Sequence, residues 1–320
     1  MYTVYLKPTN KCNLKCAHCY HTIVNGKDTM NDDVLDRSIN WINNLASKDH
    51  VNGQLHGGEP LLYPIDKLHR AVDSTPYVNW CITSNLVYNL NDDIISLFNK
   101  MKPFGDDRRF IQTSWDYLIR FKNKQQQLWE DNVKTIIDSG ITVQPTICLT
   151  PVFLTNYTPG QIFEYLKQLG INRVEFERIT NTGRAANGSF RPKNKDIDSW
   201  MSDAFDCYKQ YDIEVTLFES IYHSLHGVFL GCRARNCTRT VFTINPDGSI
   251  AGCPNTADYA PNNIKTVKIY PSKLTSVEQQ RSLGCYSCRF FEYCRGDCFQ
   301  LQWDETGCPG LKSIYAKLVV

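Results

Sequence analysis

The segment Cys12-Asn13-Leu14-Lys15-Cys16-Ala17-His18-Cys19-Tyr20 follows an apolar run, Tyr2 to Leu6, that reads as a β-strand. Its three cysteines stand at C-x3-C-x2-C spacing, so one short loop offers three thiolates to a metal centre. An iron–sulfur cube has four iron corners and is normally held by four Cys, so a loop supplying three leaves one iron open to a further ligand. Chemistry is expected at that open corner. The plain alternatives are a zinc knuckle without its fourth ligand, or three unrelated thiols.

The chain has 320 residues, 42% of them hydrophobic. That is enough for a full core and suits a barrel, or a barrel-like domain with a smaller partner. A net charge of +2 makes no demand for nucleic acid or an acidic membrane. Basic clusters at Arg108 to Lys124 and Arg184 to Lys195 read as solvated faces. The N-terminus has no basic segment followed by an apolar run, and no apolar stretch approaches the ~20 residues of a membrane span, so a soluble, cytoplasmic chain is expected. Fourteen cysteines in such a chain point to metal rather than disulfides. Cys81, Cys148 and Cys207 lie in apolar contexts outside any motif and read as buried core residues.

Up to about residue 180, β-branched or aromatic runs alternate with helical patterns, the signature of βα units and a parallel sheet. Strands are predicted near 3–7, 52–56, 79–84, 109–115, 142–149 and 172–178. Helices are predicted near 31–48, 65–75, 91–101, 125–139, 160–169 and 195–211, several capped by Asn, Asp or Thr-Pro and two closed at Gly140 and Gly170. Six such units are too few for the eight-stranded barrel. The apolar run Ile213 to Phe218 reads as a bridging segment. After residue 230 cysteines become dense, and Val241 to Ile244 and Ser249 to Ala251 flank Asn245-Pro246-Asp247-Gly248 as a hairpin.

The cysteine spacing, with His18 in the aromatic slot, and His56-Gly57-Gly58-Glu59-Pro60 after the second strand resemble the signatures of the radical S-adenosylmethionine superfamily. The resemblance implies an open, partial (β/α)6 barrel with reactive groups at the C-terminal strand ends. It also implies a four-iron cluster on Cys12, Cys16 and Cys19 whose open iron chelates the amino and carboxylate groups of S-adenosylmethionine. Cofactor contacts then fall on Tyr20, Gly57, Gly58, Glu59 and Pro60, with the Glu59 carboxylate taking the ammonium. Ser114 and Arg120 are expected on the carboxylate, Asn85 on the ribose or amino acid, and Gln144 on the ribose. For Ser114 and Asp116, N-capping is the competing reading. Glu175 and Glu177 share one face of the sixth strand, either inside the barrel toward substrate or in an outward salt bridge. Glu177 and Asp116 are the candidate catalytic groups.

Cys285-x2-Cys288-x5-Cys294-x3-Cys298 followed by Cys308, preceded by Cys232, Cys237, Gly248 and Cys253, resembles the SPASM domain. That resemblance implies two auxiliary four-iron clusters, one on Cys232, Cys237, Cys253 and Cys298, the other on Cys285, Cys288, Cys294 and Cys308. Zinc at these paired cysteines is the alternative. The implied division is a barrel over residues 1–211, a bridging segment over 212–231 and a SPASM domain over 232–320.

Members of that subfamily mostly act on peptides or proteins. Some crosslink ribosomally made peptides through thioether or carbon–carbon bonds, including cyclophanes, and others oxidise a sulfatase residue to formylglycine. Pro254 follows Cys253 where the maturases carry an Asp, which favours the crosslinking reading unless Asp258 or a barrel carboxylate substitutes. With a barrel strand already at Tyr2, any leader peptide is expected to be bound by the barrel and SPASM surfaces or by a separate recognition protein. An external electron donor such as flavodoxin or ferredoxin is also implied. An iron–sulfur electron carrier or zinc scaffold is the alternative from another class, and the open triad with Gly57-Gly58-Glu59-Pro60 argues against it.

Overall fold

Alternation in Tyr2-Thr3-Val4-Tyr5-Leu6 sends Val4 and Leu6 to one face, where both are wholly buried, and leaves Thr3 and Tyr5 half-buried on the other. This strand, β1 (Tyr2–Leu6), pairs in parallel with β2 (Val51–Leu55) on one side and β8 (Val241–Ile244) on the other. The computed structural model describes residues 1–21, 29–102, 108–116, 118–231, 237–255, 283–298 and 300–319. The remaining strands are β3 (Val78–Ser84), β4 (Phe110–Trp115), β5 (Thr142–Leu149), β6 (Arg173–Arg178), β7 (Glu214–Val215) and β9 (Ile250–Ala251). Between them run α1 (Asp32–Ala46), α2 (Ile65–Asp73), α3 (Asp92–Phe98), α4 (Gln125–Asp138), α5 (Pro151–Asn156), α6 (Pro159–Gln168), α7 (Asn194–Cys207) and α8 (Thr216–Leu225).

The chain divides into two compact units. The first comprises Met1–Pro145, Thr182–Arg184 and Arg239–Ile269, with strand order β4-β3-β2-β1-β8-β9. The second comprises Thr146–Asn181, Ala185–Thr238 and Tyr270–Val320, in which the end of β5 pairs with β6 and β6 with β7, both in parallel. The six expected strands and helices lie within a few residues of their predicted places. Two strand pairings go beyond them. The run read as a bridge contains β7, registered Arg173↔Glu214, and the hairpin read as part of the cysteine-rich domain lends β8 to the edge of β1.

Local chemistry explains the helix limits. The Asn31 and Asn91 side chains accept from the Val34 and Ile94 backbone N–H groups at 2.9 Å, and Thr158 with Gln161 forms a capping box. Each cap is worth about 1 kcal/mol. Gly140 and Gly170 close α4 and α6 at φ +77° and +78°, where a side chain is disfavoured. In the first unit the helix-side core gathers Leu6, Leu35, Ile42, Leu55 and Ile82, all fully buried. In the second, Phe176 and Phe153 lie with ring centroids 5.1 and 5.3 Å from Trp200, whose indole N–H donates to the Tyr157 carbonyl.

Gly53 is required by packing: a Cβ there would stand 2.5 Å from the Trp80 ring. Gly53→Ala is therefore expected to lower stability by about 1–3 kcal/mol through overpacking. Thermal unfolding checks this, and an unchanged midpoint would mean that Trp80 moves aside freely.

Candidate functional site

The cysteine loop leaves the C-terminal end of β1, and Cys12, Cys16 and Cys19 pack in one patch with Leu14, Val87, Phe121 and Leu128. The loop is held from several directions. Asn13 donates to the Val87 carbonyl at 2.6 Å, Asn85 donates to Asn13 Oδ1 at 2.7 Å, and Leu14 N–H points at Cys12 Sγ at 3.4 Å. Burial pushes the Cys12 thiol up to about 11 and raises that of Cys19. Buried thiols of this kind ionise when a metal supplies the opposing charge. Three soft donors gathered on one ordered loop fit a four-iron cluster held at three corners.

After β2 the chain turns back along this loop. Gly58 N–H donates to the Thr9 carbonyl at 2.9 Å and Glu59 N–H to that of Lys11 at 2.7 Å. A Cβ at Gly57, which sits at φ +151°, would meet the Thr9 oxygen at 2.5 Å, and one at Gly58 would meet the Lys11 oxygen at 2.2 Å. The glycines thus serve close approach to the chain's own backbone. Glu59 is 1% exposed, and its carboxylate accepts from Ser84 Oγ at 2.9 Å, Asn85 N–H at 2.8 Å and Leu61 N–H at 3.3 Å. It therefore ties the β2 turn, through the short helix Pro60–Leu62, to the end of β3. Burial outweighs these donors and pushes Glu59 up to about 7.

Asp116, just past β4, is buried, and its Oδ2 accepts from Arg120 Nε and lies 3.2 Å from His18 Nε2. The candidate base and the candidate carboxylate binder are thus paired with each other and with the residue in the aromatic slot. Ser114 stands half-buried on β4 and Gln144 buried on β5. Sequence reasoning overlooked two polar groups. Gln54 donates to Thr83 Oγ1 at 2.6 Å, and Thr83 donates to Gln112 Oε1 at 3.1 Å, a line across three strands whose only sequence signal is period-two polarity. Lys7 donates to His21 Nδ1 at 3.0 Å, His21 donates to the Gly57 carbonyl at 2.8 Å, and Tyr20 OH contacts His56 at 3.0 Å. Burial, then His21 and Lys7, push His56 down to about 3, so its ring is neutral.

In the second unit, Cys285, Cys288, Cys294 and Cys308 line a single pocket with Trp303 and Tyr315. A Cβ on Gly310 would come within 3.1 Å of Cys294 Sγ, so the glycine leaves room beside the thiols. These four residues fit a closed four-thiolate site. Of the other set, Cys237 and Cys298 belong to the second unit, Cys253 to the first, and Cys232 lies outside the described residues. Asp258 also lies outside them. On β6, Glu175 and Glu177 share a face with Thr146 of β5. Although the Glu177 carboxyl reaches solvent, protein crowded around it and the neighbouring Glu175 push it up to about 8. Arg178 points the other way, 2.9 Å from Asp297 and donating to the Pro309 carbonyl. Cys81 is buried as expected, whereas Cys148 and Cys207 are only half-buried.

No protein-family profile matches the chain. An uncharacterized protein of Methanocaldococcus jannaschii is 42% identical over 57 residues, 18% of this chain and 19% of that protein, so the chain matches about a fifth of that relative's length. Among solved structures, anSMEcpe with bound AdoMet and a Cp18Cys peptide superposes with a TM-score of 0.75 at 15% identity, covering 98% of this chain and 94% of that one. SuiB of Streptococcus suis bound to S-adenosylmethionine gives 0.64 at 15% identity, covering 96% and 77%. SuiB bound to precursor peptide SuiA gives 0.62 at 15%, covering 93% and 72%. The chain has the fold of these proteins. Among the described residues no helix is long and apolar enough to cross a membrane.

Glu59→Ala removes an acceptor from three donors at a buried position, two of them backbone groups. A loss of about 1–3 kcal/mol is expected in denaturant unfolding, with Glu59→Gln closer to wild type because it keeps one carbonyl oxygen. Equal stability of wild type and Glu59→Ala would show that the carboxylate does not tie the two strand ends.

Proposed function

We propose that this chain is a radical S-adenosylmethionine enzyme that crosslinks side chains within a ribosomally made peptide. The observation that carries the reading is the gathering of Cys12, Cys16 and Cys19 in one patch, on a loop whose leading segment meets the Gly57-Gly58 turn, in a fold whose solved examples bind AdoMet and peptides. The cluster would be held by those three cysteines, with S-adenosylmethionine beside Tyr20, Gly57, Gly58, Glu59, Pro60, Asn85, Ser114, Arg120 and Gln144. When bound, cluster and cofactor supply one-electron cleavage of the sulfonium and abstraction of a hydrogen atom from an unactivated carbon.

The chain's own residues supply position and proton handling. Gly57 and Gly58 fix the loop, and Asp116 holds His18 and Arg120 in place. Glu177, raised to about 8, is the proposed acceptor for the proton released when the new bond forms. Residues 1–211 are assigned to the barrel reaction and 232–320 to two auxiliary four-iron clusters, which would take up the electron released with that proton, while an external donor of the flavodoxin or ferredoxin kind would reduce the cluster on Cys12, Cys16 and Cys19. Pro254 offers no proton acceptor after Cys253, which supports ring formation over formylglycine. The likeness to anSMEcpe keeps the formylglycine oxidation of a protein as the second reading.

Two measurements test this. Anaerobically reconstituted protein is expected to hold about twelve iron and as much sulfide, four per cube. It is also expected to release 5′-deoxyadenosine when reduced, whereas Cys16→Ala releases none. Stoichiometric zinc with about four iron would remove the auxiliary clusters from the proposal.

Product chemistry separates the two readings. Crosslink and formylglycine from Ser both lose two hydrogens, so intact mass does not distinguish them. A ring suppresses backbone fragment ions inside it, while an aldehyde leaves them and reacts with hydrazine. A ring without hydrazine adduct is expected from a short peptide encoded beside this chain, and an adduct would favour the second reading.

A further inference from the structure

Arg184 opens a basic run that reads from the sequence as a solvated face. The structure puts it against the cysteine loop. Thr182–Arg184 groups with the first unit, apart from its sequence neighbours on both sides. Arg184 N–H donates to the Cys19 carbonyl at 2.8 Å, and its Nη1 donates to that of Cys16 at 3.0 Å. Gly183 adopts φ +58°, and a Cβ there would stand 2.2 Å from the Tyr20 backbone and 2.5 Å from the Cys19 oxygen. The crossing is therefore backbone on backbone, and it delivers a guanidinium to the loop between the second and third cysteines.

The charge balance there is uneven. Two guanidiniums, those of Arg120 and Arg184, act on Cys19. Arg120 is compensated by Asp116. Among the described residues, Arg184 has no carboxylate within ion-pair distance; its side-chain partner is a carbonyl. A fixed positive charge in a half-buried position is weakly screened and favours the more negative of two redox states nearby.

We propose that Arg184 is a positioning residue for an iron–sulfur cluster on Cys12, Cys16 and Cys19, fixing the loop through the Cys16 carbonyl and placing a positive charge with no carboxylate partner among the described residues beside the Cys16 to Cys19 end of the loop. This rests on the cluster assignment made above. In chemical terms, a low-potential one-electron donor reduces the cluster by one electron, and Arg184 makes that uptake easier. Net charge and hydrogen bonding around the ligands are among the terms that set such potentials.

The test compares reconstituted wild type, Arg184→Gln and Arg184→Lys by electron paramagnetic resonance during redox titration, following the signal that S-adenosylmethionine perturbs. Arg184→Gln is expected to bind iron as wild type does but to shift that signal's midpoint to a more negative potential. Arg184→Lys, which keeps the charge, is expected to stay near wild type. Equal midpoints in wild type and Arg184→Gln would overturn the proposal, as would loss of about a third of the iron in both variants, which marks a mere loop anchor. Absence of any S-adenosylmethionine-sensitive signal in wild type would instead overturn the cluster assignment itself.

Discussion

Where the turn after β2 crosses the segment leading to Cys12, two backbones meet with no side chain between them. The Cβ that any other residue would place at Gly58 would fall 2.2 Å from the Lys11 carbonyl, and the hydrogen bonds from Gly58 and Glu59 close that gap at 2.9 and 2.7 Å. Everything at the candidate site depends on this approach. It sets how Thr9 to Lys11 leaves β1, and hence where the three cysteines fall. Glu59 then carries the same constraint sideways, because its carboxylate is spent on Ser84, Asn85 and Leu61. Asn85, placed by Glu59, in turn holds Asn13 inside the cysteine loop.

A second contact of the same kind comes from Gly183, against the other end of the loop. Each of the three glycines is therefore a condition on chain crossing. The polar groups add to this without replacing it. The His18–Asp116–Arg120 set, with Asp116 and His18 both buried, is an ion-paired network whose value lies in fixing geometry, since desolvating charged groups offsets much of their attraction.

Much of the fold was legible because burial on one face imposes period two on strands, and because caps such as Asn31, Asn91 and Thr158 act within a few residues of themselves. The cysteine sets were read from spacing, and Cys285, Cys288, Cys294 and Cys308 of one such set line one pocket. What escaped was non-local. The edge pairing of β8 with β1 joins residues far apart in sequence, and two-residue β7 is too short to carry a periodicity. Arg184 looked like one charge in a solvated run because its partners are the backbone carbonyls of Cys16 and Cys19, which leave no mark on residue type. Glu59 was read for its charge alone, while its environment is set by neighbours that its own motif does not contain.

Local charge around the cysteine loop follows from the same geometry. Burial raises Cys12 and Cys19, so in the absence of a cation these thiols keep their protons, and the loop folds without gathering negative charge. A metal centre supplies the opposing charge that makes ionisation of Cys12 and Cys19 favourable. The acidic groups nearest the loop are already committed: Asp116 to His18 and Arg120, and Glu59, raised to about 7, to three donors of its own chain. Glu59 still raises Cys12 through its charge, whereas the guanidiniums of Arg120 and Arg184 act on Cys19 in the opposite sense. The loop is built to tolerate an anionic group in a place that burial alone would keep neutral.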